Sequence, residues 1–207
     1  MQGLTTQELK TLKSLNSPRR VQDFLNQMPA NFCDDGDTMM SPRRVLKANR
    51  AHCMEGALFA VCAFALQGRR PLLLDLVSVR GDDDHVVALF QEHGRWGAVS
   101  KTNHAMLRYR EPVYRTVREL AVSYFHEYFL DDGRKTLRSF SRPVDLTRFH
   151  RRNWMGDEQD LWYIVDALNA APHTNILRAG QGNTLRRADE IEITAGKLTQ
   201  WKQTKTP

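Results

Sequence analysis

Apolar residues concentrate in the stretch Cys53–Leu66 (CMEGALFAVCAFAL), which is rich in Ala, Leu, Met and Phe and contains no Pro. This composition predicts a helix, closed by Gln67-Gly68, with Gly56 as its one weak point. The pattern then changes. Leu72 to Val79 (LLLDLVSV) is a strand-length apolar run behind Arg69-Arg70-Pro71, and His85 to Gln91 (HVVALFQ) is another behind Gly81-Asp82-Asp83-Asp84. Glu92-His93-Gly94-Arg95 reads as a hairpin turn into Trp96 to Ser100. The predicted centre is therefore one helix followed by antiparallel strands.

Upstream, Thr5 and Glu8 have the spacing of a capping box ahead of a short helix through about Leu15. Ser17-Pro18 starts a second helix, with Val21, Phe24, Leu25 and Met28 as its apolar stripe and Pro29 as its stop. The same opening recurs as Ser41-Pro42-Arg43-Arg44-Val45, one capping solution used twice. Between them, Cys33-Asp34-Asp35-Gly36-Asp37 lacks the alternating ligands and final Glu of a calcium loop and reads as a turn.

Downstream, Lys101 to Arg110 is a polar connection, and Pro112 to Leu130 predicts a helix with Val113, Val117, Leu120, Ala121, Tyr124 and Tyr128 on one face. Leu137 to Ser141 is a candidate strand before Pro143. Asp157 to Ala170 predicts a further helix with Leu161, Ile164, Val165 and Leu168 inward. From Arg178 onward the chain is polar; Ile191 and Ile193 suggest a short strand, and the last ten or so residues are expected to be loosely held. The organisation expected is a single domain over 1–177, with its core at 41–110, and a polar extension over 178–207.

The composition, 41% hydrophobic and 26% charged, is that of a soluble globular chain. The longest apolar stretch, Gly56 to Leu66, is well short of the ~20 residues a membrane-spanning helix needs, so no membrane partner is expected. The first residues lack the basic and apolar regions of a secretory signal, which points to a cytoplasmic protein. Three cysteines, Cys33, Cys53 and Cys62, form no C-x-x-C pair and argue against a disulfide scaffold. Cys62, flanked by Val61 and Phe64, reads as a small core residue. The net charge is +6, with arginine pairs spread along the chain rather than gathered in one run. That spacing makes nucleic acid a weakly supported partner.

Cys53 carries the candidate chemistry. A thiol at a helix N-terminus lies where the macrodipole favours negative charge, and an imidazole in reach would take its proton. Asn49 is a candidate cap for that helix, His52 directly precedes the thiol, and Glu55 lies one turn in. The alternative role for Cys53 is a buried structural cysteine. Zinc held by His52, His85, His104 and Cys53 is a further alternative, although no pair has the short spacing of a structural zinc motif. His93, His126, His150 and His173 read as surface or satisfied core residues.

A cysteine heading a helix, a strand-opening His85 32 residues later and a hairpin return through Trp96 resemble the core of transglutaminase-like proteins of the papain-like superfamily. The resemblance covers about a quarter of the chain. It implies an α+β fold, a Cys-bearing helix packed on a small antiparallel sheet with added N- and C-terminal helices. It also implies Cys53 as nucleophile and His85 as general base. The family's third residue, usually Asp and sometimes Asn, follows the return-strand Trp by about four positions, which is Ser100 here; Asn103 is the other candidate. The sequence departs from the family at Ala51, where glycine is common two residues before the cysteine, at His85-Val86-Val87, which lacks a nearby Trp, and at Ser100, which is not a carboxylate.

The resemblance thus implies a cysteine-dependent acyl-transfer enzyme, a peptidase, deamidase or amide hydrolase, acting on a protein or peptide without cofactor or metal. The alternative is a non-catalytic module of the same fold that binds an acidic partner through its arginines. The sequence leaves the substrate, acyl acceptor and oligomeric state open.

Overall fold

A computed structural model describes residues 3–34 and 36–202. Met1, Gln2, Asp35 of the acidic turn and the end of the C-terminal segment lie outside the described residues. The chain is mixed α+β, and its most apolar segment forms α4 (Cys53–Leu66), in which every residue from Met54 to Phe64 is buried. Each fully buried Leu or Phe contributes roughly 1.5–3 kcal/mol, so Leu58, Phe59 and Phe64 together far outweigh the roughly 1 kcal/mol cost of Gly56 in a helix. Gln67 ends the helix, and Gly68 takes the left-handed backbone (φ 77°) that a non-glycine side chain resists.

The helix lies on a seven-stranded antiparallel sheet ordered β4-β3-β2-β1-β5-β7, made of β1 (Leu72–Val77), β2 (His85–Glu92), β3 (Arg95–Val99), β4 (Arg110–Tyr114), β5 (Ser139–Ser141), β6 (Val144–Asp145) and β7 (His173–Asn175). The far edge of β1 is shared: β6 pairs with Leu72 and Leu73, and β5 with Leu76 and Val77. The β2–β3 hairpin turns on His93 and Gly94, both at positive φ, as a two-residue turn matched to strand twist requires.

Side-chain alternation splits the interior into two layers. Leu73, Val86, Ala88, Phe90 and Val99 face α4, together with α1 (Thr6–Ser14), α2 (Pro18–Gln27), α3 (Pro42–Ala48) and α6 (Trp162–Asn169). Leu72, Leu74, Leu76, Val87, Leu89 and Ala98 face α5 (Val117–Ser123) and the tyrosines beyond it. The N-terminal helices start as their sequences dictate, with Thr5, Ser17 and Ser41 each accepting from the backbone N–H three residues on.

Five expectations change. Pro112 does not open a long helix. It lies in the edge strand β4, where its missing N–H is tolerated, and α5 begins only after Thr116 caps it through the Glu119 N–H. The stripe still forms in part: Leu120, Ala121, Tyr124 and Tyr128 are buried, whereas Val113 is exposed. The helix expected from Asp157 starts at Trp162, because Asp157 to Asp160 forms a bend tied down by Ser41, Met39 and Arg44. Ile191 and Ile193 lie in α7 (Glu190–Gly196), opened by an Asp189–Glu192 capping box, and not in a strand. Asn49 ends α3 in the left-handed conformation, and His52 is the N-cap of α4.

The stretch from Leu198 to Trp201 is pinned rather than loose. Ala105 N–H donates to Leu198 O, Gln200 N–H to Asn103 O, and both amide atoms of Asn103 bond the Trp201 backbone. Among the described residues no helix is long and apolar enough to cross a membrane.

Gly56 also has a positive reason to be glycine. A Cβ there would lie 2.3 Å from Cβ of Lys101, which passes over α4 to donate through Nζ to Leu25 O and Met28 O at the end of α2. Lys101 is 2% exposed, and its stem cannot swing away. Gly56→Ala, which raises stability by roughly 1 kcal/mol in an unobstructed helix, is expected here to lower it by roughly 1–3 kcal/mol, read as a fall in the urea midpoint.

Candidate active site

Cys53 is the first residue of α4, and the chain before it is clamped into place. Ala30 and Ala51 form a parallel bridge in which Asn31 N–H donates to Ala51 O and Ala51 N–H to Pro29 O. Glu55, fully buried, closes the helix start as a four-donor cage. One carboxylate oxygen accepts from His52 N–H and Asn31 Nδ2, and the other from Thr38 Oγ1 and Met40 N–H, at 2.7–3.1 Å. The carboxylate is thus turned into the Asn31–Met40 loop rather than left to oppose a thiolate.

His52 joins this cage. Its Nε2 donates to Thr38 O at 2.7 Å and lies 3.5 Å from Glu55 Oε1. Burial works against a charged His52 ring, but the hydrogen bond to the Cys53 sulfur and the charge of Glu55 prevail, raising its pKa to about 9. Burial likewise pushes the Cys53 thiol up. Hydrogen bonds from His52 and His85 and the charges of both rings outweigh it, bringing the thiol down to about 5. By contrast, Cys62 is fully buried, and burial holds its thiol far above the ordinary range.

His85 opens β2, pairs with Leu76 of β1 and is 6% exposed. Its Nε2 is 2.7 Å from Ser100 Oγ, just beyond β3, and the Ser100 hydroxyl donates its own proton to Leu107 O. The hydroxyl therefore accepts from Nε2–H, which leaves Nδ1 for the Cys53 sulfur. Ser100 is in turn fixed by Gln22 of α2, whose amide accepts from Ser100 N–H at 2.9 Å and donates to Ser100 O at 2.8 Å. The structure thus brings Cys53, His85 and Ser100 together. Asn103 lines the same cleft, but its amide is spent on Trp201.

The cleft over the sulfur measures about 420 Å³. Phe32, Met106, Tyr128 and Phe129 supply apolar wall, Asp82 to Asp84 an acidic rim, and Ile193 and Gly196 of α7 part of the far side. His104 lines it too, bonded to Gly196 O. Among the described residues no three His, Cys, Asp or Glu side chains converge as a metal site.

The chain matches no protein-family model and has no significant match among curated proteins.

Three members of the arrangement are hard to find from sequence. The depth of the Glu55 cage and the ion pairing of His52 depend on Asn31 and Thr38, which approach only in the folded chain. Gln22 left a faint signal, a polar residue between Val21 and Leu25 on the buried face of α2. Asp75 of β1 interrupts an apolar run and is buried. Burial, helped by the charge of Asp84, lifts its carboxyl to about 6 against the pull of His173. It meets His173 of β7 at 3.5 Å.

Proposed function

We propose that this chain is a transglutaminase-like, cysteine-dependent acyl-transfer enzyme acting on an amide or ester of a protein or peptide. The observation that carries this reading is the Cys53 thiol, at a helix N-terminus between two imidazoles and lowered to about 5, with one imidazole oriented by Ser100. Cys53 as thiolate attacks the carbonyl carbon. The developing oxyanion meets the backbone N–H of Cys53, the first residue of α4, and the positive end of the helix dipole. His85 delivers a proton to the leaving group as the C–N or C–O bond breaks, giving an acyl-enzyme. It then takes a proton from water or an incoming amine as that acceptor attacks, and Cys53 is released.

Ser100 holds the Nε2–H tautomer as a neutral acceptor. It keeps the ring in place but stabilises its charged form less than a carboxylate would. His52, paired with Glu55, supports the thiolate electrostatically. The neutral third group favours, as the second reading, a non-catalytic module of the same fold.

The test is turnover of a panel of peptide amide and ester substrates by wild type, Cys53→Ser and His85→Ala. Both variants are expected to fall by at least roughly a thousandfold, since either removes a member of a cooperating unit. Turnover retained by Cys53→Ser, with His85→Ala like wild type, would sink the mechanism.

A further inference from the structure

A second cavity of about 750 Å³, a size suited to a compact ligand, is lined by Val79 and Arg80 after β1 together with residues of the 134–138 and 175–187 segments. Six cationic residues line it, Arg80, Arg134, Lys135, Arg138, Arg178 and Arg187, of which Lys135 turns its Nζ away to His126 O and the Phe129 ring. No Asp or Glu is among its lining residues. Arg134 pairs with Asp132 and Lys135 with Glu192, but among the described residues Arg80, Arg138, Arg178 and Arg187 form no salt bridge.

We infer that this groove is a binding site for a compact polyphosphate, a small molecule carrying several phosphate oxyanions close together. Three features select that class. The cations come from separate parts of the chain, the β1–β2 turn, the 134–138 segment and the 178–187 loop, so folding gathers like charges that repel until a multivalent anion offsets them. Five of the six are arginines, whose planar forks suit phosphate oxygens bidentately. No aromatic side chain lines the groove, so it offers no platform for stacked bases, which disfavours single-stranded nucleic acid.

The loop geometry keeps the cations available. Gly180 adopts φ 77° to start the turn over Gln181–Thr184, and a Cβ on Gly182 would lie 3.7 Å from Arg138 Nη2. Arg138 Nη1 is held by Lys135 O and Leu137 O, while its Nη2 makes no hydrogen bond among the described residues. Arg80 and Arg178 are both exposed and line the same cavity. The site is independent of the acyl-transfer reading.

Calorimetric titration of the full chain with sodium tripolyphosphate tests this. One saturable site is expected, weakening from about 50 to 200 mM salt because exposed charges are screened. Arg80→Gln combined with Arg178→Gln alters two exposed side chains and should weaken binding roughly tenfold or more. Arg19→Gln with Arg20→Gln removes the same charge from α2, at the opposite end of the sheet, and should leave affinity within about twofold. A parallel melt should show tripolyphosphate stabilising wild type but not the groove variant. Absence of saturable binding, or equal weakening in both double variants, would overturn the site. Tighter binding of a single-stranded oligonucleotide than of tripolyphosphate would overturn the ligand class.

Discussion

Cys53 is expected to alkylate along a pH profile that rises through about pH 5 and stays level through neutrality, as its lowered thiol dictates. A free thiol instead titrates near 8.5. At pH 6 the difference in thiolate fraction is roughly three hundredfold. The weaker nucleophilicity of a low-pKa thiolate offsets roughly thirtyfold of that, leaving a net gain of roughly tenfold over an unperturbed cysteine. The position of the inflection therefore decides more than the rate. His85→Ala and His52→Ala each remove a hydrogen bond and a charge from the sulfur, and each should move the inflection upward. Iodoacetamide labelling followed by peptide mapping reads the profile at Cys53 alone. An inert thiol, or one titrating near 8.5 in all three proteins, would favour the non-catalytic reading.

Folding stability is linked to the same groups. The lowered Cys53 thiol contributes stability that is present above its unfolded value and lost as pH falls through about 5. The raised His52 contributes stability that is present below its unfolded value and lost as pH rises through about 9. The pair thus supports the fold between those limits.

Glu55→Ala should be among the most destabilising single substitutions in the chain. It leaves His52 N–H, Asn31 Nδ2, Thr38 Oγ1 and Met40 N–H facing a dry space, and strips a buried imidazole of its counter-charge. Removing one partner of a buried pair costs roughly 3–5 kcal/mol, a large fraction of the 5–15 kcal/mol that holds a domain folded. Glu55→Gln separates charge from shape. Each oxygen of the native carboxylate faces two donors, so an amide NH₂ in either orientation meets two N–H or O–H groups, and the substitution should also destabilise substantially. Urea midpoints of both variants read the effect. A Glu55→Gln protein as stable as wild type would mean that the cage does not need a carboxylate.

Legibility varied with the range of the interaction. Capping boxes, Ser-Pro helix starts, the two-residue hairpin turn and the apolar runs involve neighbours in sequence, so α1, α2, α4, β1 to β3 and the start of α3 were readable to within about two residues. Pro112 to Tyr114 was misread because helical spacing and an edge strand share the same apolar letters; pairing with β3 decided between them. Ile191 and Ile193 were misread because the local capping box at Asp189 outweighed their β propensity.

For the candidate site, sequence by itself determined that a thiol heads a helix and that an imidazole heads a strand. The family resemblance put Ser100 and Asn103 forward together for the third position. Only tertiary structure separates their surroundings, turning Asn103 to Trp201, nearly a hundred positions away, and setting Ser100 Oγ 2.7 Å from His85 Nε2. Tertiary structure also made His52 an ion-pair partner and gathered scattered arginines around one groove. Pairing energies and pKa shifts depend on burial and on separations of a few ångströms, and both are set by which distant segments pack together.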